Sequence, residues 1–205
     1  MPERGWPATV ASGSVRLRPI RRRDRGRWTA LREANRAWLA PWEATGPAEE
    51  AGPASYADYV RRLRREAARG VALPWLIEWE GRLAGQLLIT GIALGSARSG
   101  SAGYWVAREA AGRGVAPTAL ALAFDHAVGA AGLHRIEVAI RPDNRASLRV
   151  VAKLGFRDEG MRARYLHVGG RWADHRIFAL TAEDVPEGLV ARWRGSGGSC
   201  DSGVY

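Results

Sequence analysis

Apolar and polar residues alternate near the start of the chain. In SVRLRPI, Val15 and Leu17 are apolar while Arg16 and Arg18 are polar, the period of a half-buried strand. The period then lengthens: Trp28, Leu31, Ala34 and Trp38 recur at helical spacing in RRRDRGRWTALREANRAWL, which ends near Pro41. EATGPAEEAGPAS reads as a loop. SYADYVRRLRREAARG predicts a second amphipathic helix, opened by Ser55 with Asp58 three residues on and stopped by Gly70. LPWLIEWEGRLAGQLLITGIAL reads as two strands joined through Glu80 and Gly81. GSARSGSAG, from Gly95 to Gly103, reads as a flexible connection into the strand GYWVA.

A helix begins near Pro117, HRIEVAI is a strand, and DNRASLRVVAKLG is a helix capped by Asp143 or Asn144 and ended by Gly155. RARYLHVGGRWADHRIFALT predicts a hairpin about Gly169 and Gly170, and RGSGGSCDSG reads as a disordered tail. No repeat of fixed period is present. The element order predicts an α/β (α+β) single domain, a central mixed twisted sheet of about seven strands flanked by about four helices. The expected boundaries are a flexible N-terminus over 1–13, the domain over 14–185 and a flexible C-terminal tail over 186–205.

A chain of 205 residues, 46% hydrophobic and 25% charged, has the composition of one globular domain with a real core. No apolar run reaches the roughly 18 residues of a membrane span. The start MPERGWPATVASGS has no apolar signal core, so a cytoplasmic protein without a membrane partner is expected. Cys200 is the single cysteine, which excludes an internal disulfide framework. The net charge of +10 is almost all arginine, with Lys153 the one lysine. Such a charge fits either arginine-biased coding or an anionic partner, a phosphate-bearing cofactor or RNA.

The stretch AREAAGRGVAPTALALAFDHAV, Ala107 to Val128, carries the most specific chemistry. Gly112, Arg113 and Gly114 stand just ahead of a helix, and Pro117 fits the helix's first turn. A helix N-terminus has unpaired N–H groups and about half a positive charge, so this arrangement can cradle a phosphate. It is neither a Walker loop nor a dinucleotide fingerprint, because no Gly-Lys-Ser/Thr and no third glycine follow at the required spacing.

GYWVAREAAGRGVAPTAL, LHRIEVAIRPDNRASLRVVAKLGF and GGRWADHRIFAL together resemble the GNAT N-acetyltransferases, and within them the RimJ/RimL type that acetylates protein N-termini. The resemblance runs from about Val15 to Leu180; one departure is Ala111, where the family carries glutamine or arginine. It implies acetyl-CoA as co-substrate and no metal. Its pyrophosphate would be held by Gly112, Arg113, Gly114, Val115 and Ala116, and Asn144 would contact the coenzyme. It also implies that Val106 points its N–H at the thioester oxygen, a donor worth roughly 3 kcal/mol by analogy with oxyanion holes. Ser147, three residues past Asn144, matches the hydroxyl that would protonate the leaving thiolate, and Tyr165 is its rival.

An α-amine, with a pKa near 7.7–8.0, is easier to deprotonate near neutrality than lysine by roughly 3.5 kcal/mol. An N-terminal acetyltransferase therefore manages with a water and a nearby carboxylate, for which Glu159 and Asp174 are the candidates. Asp174 is expected to orient the substrate amine or His175, and Trp42 to wall the acceptor cleft. His126 and His134 read as structural, and no histidine or cysteine spacing suggests a metal. The acceptor is then a protein N-terminus, with ribosome association and a monomer or homodimer compatible with it. A small amine or antibiotic is the alternative acceptor. An inactive RNA- or ribosome-binding module is the alternative of another class, disfavoured by the intact loop.

Overall fold

The computed structural model describes residues 5–46 and 55–198. The strands are β1 (Val10–Ser12), β2 (Val15–Pro19), β3 (Leu73–Trp79), β4 (Arg82–Ala93), β5 (Ser99–Val106), β6 (Arg135–Ile140), β7 (Arg157–Val168) and β8 (Arg171–Thr181). The α-helices are α1 (Arg25–Ala34), α2 (Arg36–Leu39), α3 (Tyr56–Ala68), α4 (Val115–Gly129), α5 (Arg145–Leu154) and α6 (Leu189–Gly195). The strands form one mixed sheet in the order β1-β2-β3-β4-β5-β6-β8-β7, antiparallel except for the β5–β6 pair. The mixed sheet expected from the sequence is there, with eight strands among the described residues.

Strand alternation sends one set of side chains to each face. Leu17, Trp75, Ile77, Leu87, Ile89 and Ile136 join the main core, where α4 lies. Ten residues of α4 are buried, including Val115, Leu120 and Phe124. A helix apolar all round packs on neighbours on several sides, and α4 meets the sheet, α5 and α6. The other face carries α1 and α3 over a smaller cluster of Ile20, Val60, Leu63 and Leu76. Ser55 caps α3 by accepting from the Asp58 N–H at 3.2 Å, as its spacing predicts. At the β3–β4 turn Glu80 and Gly81 both take positive φ, 50° and 74°, the tight hairpin geometry.

Four expectations are corrected. The long first helix breaks at Asn35, whose amide donates to the Leu31 carbonyl at 2.9 Å and whose Oδ1 accepts from the Arg108 N–H at 2.8 Å. Ser99 to Gly103 belong to β5 rather than to a flexible connection. Gly100 is required there because a Cβ would meet Ile89 at 2.7 Å. The N-terminal segment is not free: β1 pairs with β2, Trp6 packs edge-on to Trp75, and Trp75 Nε1 donates to the Ala8 carbonyl at 3.0 Å. Nor is the segment after 185 a loose tail up to residue 198. Asp125 of α4 accepts from the Leu189 and Val190 amides at 2.6 and 3.0 Å, and Trp193 is buried with Nε1 on the Thr118 hydroxyl at 2.9 Å. Cys200 and residues 47–54 of the expected loop lie outside the described residues.

A buried ionic cluster anchors the entry to α1. Arg18 donates from its two terminal nitrogens to Asp24 at 2.8 and 2.9 Å and from Nε to Glu78 at 2.6 Å. Burial alone pushes the Asp24 carboxyl up, but the Arg18 guanidinium and the Arg21 amide outweigh it and hold the group below the usual carboxylate range. A depressed carboxylate stabilises the fold fully above its unfolded pKa and loses that contribution as pH falls through its folded value. Asp24→Asn leaves Arg18 half-paired in the interior and should destabilise the protein by about 3–5 kcal/mol at pH 7. Thermal unfolding should show the gap to wild type narrowing below about pH 4, as the wild-type carboxylate takes up its proton.

Candidate active site

The parallel pairing of β5 with β6 covers only Ser99–Arg135, Gly100–Ile136 and Ser101–Glu137. β5 runs on to Val106 and β6 to Ile140 without further pairing, so the two strands diverge. The diverging edges, Ala102 to Trp105 and Val138 to Ile140, line a cleft of about 1490 Å³. It extends over the α1–α3 face, where Trp28, Tyr56 and Tyr59 form its aromatic side.

The end of β5 stays bound to β4, with the Ala107 N–H on the Ala84 carbonyl at 2.7 Å. Successive residues of a strand point their polar groups to opposite edges, so Val106 turns its N–H and C=O away from β4. Its carbonyl accepts from Trp38 Nε1 at 3.1 Å, and its N–H lies on the edge that faces the divergence. Gly85 is what lets β4 approach here, since a Cβ would fall 2.2 Å from the Trp105 carbonyl oxygen.

Beyond Val106 the chain turns through Gly112 and Gly114, both left-handed at φ 79° and 75°, into α4. Such a φ favours glycine. The first bond into the helix is Thr118 N–H to the Gly114 carbonyl at 3.1 Å, so the amides of Arg113, Gly114, Val115 and Ala116 have no intrahelical acceptor. The side chain of Arg113 folds back, donating to the Glu109 carbonyl at 3.1 Å and lying over Trp79. Its backbone rather than its guanidinium is what the loop presents. Val115 is buried, whereas Ala116 keeps partial exposure.

Asn144 and Ser147 reach the cleft from the first turn of α5. Asn144 is the N-cap, its Oδ1 accepting from the Ser147 N–H at 3.1 Å, an interaction worth about 1 kcal/mol. Beside them lies Tyr104, whose buried hydroxyl makes no well-formed hydrogen bond. Burial pushes its pKa up to about 12, with nearby Ser147 partly opposing.

The remaining expected site residues fare differently. Trp42 lines the cleft, stacked under the Arg141 guanidinium at 5.5 Å. Tyr165 does not itself line the cleft: its hydroxyl accepts from Arg162 at 3.1 Å and its ring packs edge-on to the cleft-lining His175. Glu159 is ion-paired with Arg135, which holds its carboxyl below the usual range and leaves it a poor base away from the cleft. Asp174 does not orient His175; it accepts from the Arg164 N–H at 2.7 Å and steadies an irregular part of β7. The sequence reading missed Gln86, buried in the cleft floor between Trp28 Nε1 at 3.1 Å and the Tyr59 hydroxyl at 2.7 Å. Its one signal was a lone polar residue in the apolar run LAGQLLIT. His134 pairs with Glu183 and His126 packs on Trp75, the structural roles expected of them. Among the described residues no group of three or more His, Cys, Asp or Glu is placed to hold a metal ion.

A sheet split at one parallel pair, with a glycine-turned helix N-terminus beside the split, is the framework of an acetyltransferase of the GNAT class. Residues 14–157 match the family model described as an acetyltransferase (GNAT) domain, and the chain belongs to that family. Within it the chain is RimJ/RimL-like. The structure of Mycobacterium smegmatis RimJ in complex with CoA-disulfide is similar at 41% identity and TM-score 0.88, over 95% of this chain and 97% of that one. The [ribosomal protein uS5]-alanine N-acetyltransferase of Escherichia coli is 27% identical over 174 residues, 84% of this chain and 90% of that protein. Probable N-acetyltransferase YjcK of Bacillus subtilis is 32% identical over 105 residues, 51% of this chain and 58% of that protein.

If the α4 N-terminus is an anion cradle, a side chain at Gly114 should injure it twice, by strain at a positive φ and by crowding the amides. Titration of CoA into Gly114→Val should show affinity reduced roughly 10- to 100-fold, the scale of one lost hydrogen bond to a charged group. Unchanged affinity in a folded variant would reduce the loop to a plain turn.

Proposed function

We propose that the chain transfers the acetyl group of acetyl-CoA to the N-terminal α-amine of a protein, by direct attack within a ternary complex. The observation that carries this reading is the junction at the strand divergence. Ser147, Asn144 and the parting ends of β5 and β6 line one cleft that continues over the α1–α3 face, and β5 leads through Val106 and the glycine turn into the uncapped amides at the start of α4. The relatives support both substrates, since one is described as acting on an alanine of ribosomal protein uS5 and one similar structure is in complex with a CoA disulfide.

The residues divide the work by position. The amides of Arg113, Gly114 and Ala116 would take the pyrophosphate of the co-substrate, helped by the positive end of the α4 dipole. The Val106 N–H, pre-oriented by the strand, stabilises the oxyanion that forms on attack. Ser147 supplies the proton for the departing thiolate, and Tyr104, kept protonated by its burial, lies next to it. The acceptor enters between α1 and α3, past Trp28, Tyr59 and Trp42. Arg25, Arg32, Arg62, Arg65 and Arg141 line that side against the acids Glu43 and Asp58, a balance that disfavours a polycationic small molecule.

Two measurements test this reading. One peptide is offered with its N-terminus blocked and its lysine free, and again with the reverse. Acetylation should occur on the free N-terminus, and transfer only to lysine would overturn the assignment. Ser147→Ala should lower kcat by roughly 10- to 100-fold, at or below the usual range for one acid–base group, with CoA affinity little changed.

A further inference from the structure

The carboxylates that line the cleft are engaged. Glu43 pairs with Arg32, and Asp58 is taken by the Ser55 hydroxyl and Arg61. One cleft-lining group is placed otherwise. His175 is 4% exposed and stands on β8 next to Arg176, the last residue that β8 pairs with β6. Alternation along β8 puts it on the face opposite Phe178 and Leu180, away from the main core and on the side of α1 and α3.

The ring is fixed at both its nitrogen and its face. Nδ1 lies 2.9 Å from the Ala173 carbonyl oxygen, and a carbonyl only accepts, so Nδ1 carries the hydrogen. That tautomer leaves the lone pair on Nε2, the other edge of a ring that borders the cleft, and no residue among those described bonds to it. Tyr165 packs edge-on against the ring at 6.1 Å between centroids, and Arg162 holds Tyr165 through both its hydroxyl and its ring. The cationic neighbours are occupied: Arg141 on Asp143 and Arg162 on Glu137 and Tyr165, while Arg176 on the opposite face pairs with Asp158.

We propose that His175 Nε2 is the proton acceptor for the attacking amine, a role the sequence pointed toward carboxylates. The inference rests on amine acetylation as proposed above. Nε2 takes one proton from the bound ammonium, leaving a neutral amine and an imidazolium that returns the proton to solvent. The amine nitrogen then bonds to the thioester carbonyl carbon. As the C–S bond breaks, the second amine proton is lost and the thiolate gains one through Ser147. The sum is amide, free thiol and one released proton.

The test compares wild type with His175→Asn, which keeps a side-chain donor for the Ala173 carbonyl, and with His175→Gln as the second variant. A free-N-terminal peptide is acetylated across pH 6.5–9.5, with CoA affinity and thermal stability measured alongside. The expected result is a kcat deficit of roughly 10²–10⁴-fold below about pH 7.5, with CoA affinity unchanged. The deficit should close as the pH passes the α-amine pKa near 7.7–8.0, because the acceptor then arrives neutral. The charged groups around the ring, Arg141, Arg162 and Arg176, and the hydrogen-bonded Tyr165 are common to wild type and variant, so a pH-dependent change in the deficit reports the acceptor amine. A deficit of the same size at every pH, or one confined to KM, would make His175 a wall residue and overturn the proposal, as would equal kcat in a folded variant. If both variants unfold, wild type labelled at its histidines and followed by nuclear magnetic resonance gives the answer. A neutral His175 with hydrogen on Nδ1 supports the role, and hydrogen on Nε2 overturns it. Wild type that acetylates no amine would instead sink the function proposed above, so the two failures stay distinct.

Discussion

The architecture depends on one short parallel contact. β5 and β6 hold to each other over three residues at Ser99 to Ser101 and then part. A parallel pair requires a crossover connection, and here the crossover contains the glycine turn and α4. The same covalent path that closes the pair therefore delivers a helix N-terminus to the place where it opens. Gly100 makes room for Ile89 of β4 and Gly85 permits the end of β5 to stay on β4, so β5 keeps to β4 and the divergence falls between β5 and β6.

The two faces of the sheet then take separate duties. The main core around α4 is rigid and apolar, with Asp125 and Thr118 tying α6 over it. The opposite face is thinner and more polar, with α1 and α3 leaving space between them. Arg18 and Asp24 hold the start of α1 through a buried charge pair, and Gln86 fixes Trp28 and Tyr59 from below. Asn35 links the break between α1 and α2 to the Arg108 amide, which ties one wall of the cleft to the segment leading into α4. A cleft built this way is shaped by hydrogen-bonded aromatics whose orientation Gln86 fixes.

Much of this was legible in the chain. The alternation at Val15 and Leu17, the cap at Ser55 and the turn at Gly169 and Gly170 each act within a few residues, where local sterics and hydrogen bonding decide. The glycines ahead of Pro117 were readable for the same reason, as was a cap on α5 at Asp143 or Asn144, of which Asn144 is the one used. Harder to read was LVARWRG in α6: Leu189, Val190 and Trp193 have helical spacing, but the segment is too short to form alone and is stabilised by a carboxylate 64 residues earlier in the chain.

What the sequence by itself determined is most of the local elements, the glycine turn into α4 and, through three matching segments, the family. Tertiary structure alone decided which titratable groups face the cleft. Glu159, Asp174 and Tyr165 carry suitable chemistry, yet Arg135, the Arg164 amide and Arg162 claim them. In sequence His175 stood out only as a partner for Asp174, whereas the pairing of β8 with β6 and the Ala173 carbonyl give it a fixed tautomer at the cleft wall. A side chain's role as acid or base depends on what lies within a few ångströms of it. In a mixed sheet those neighbours come from strands far apart along the chain, so no local pattern records them.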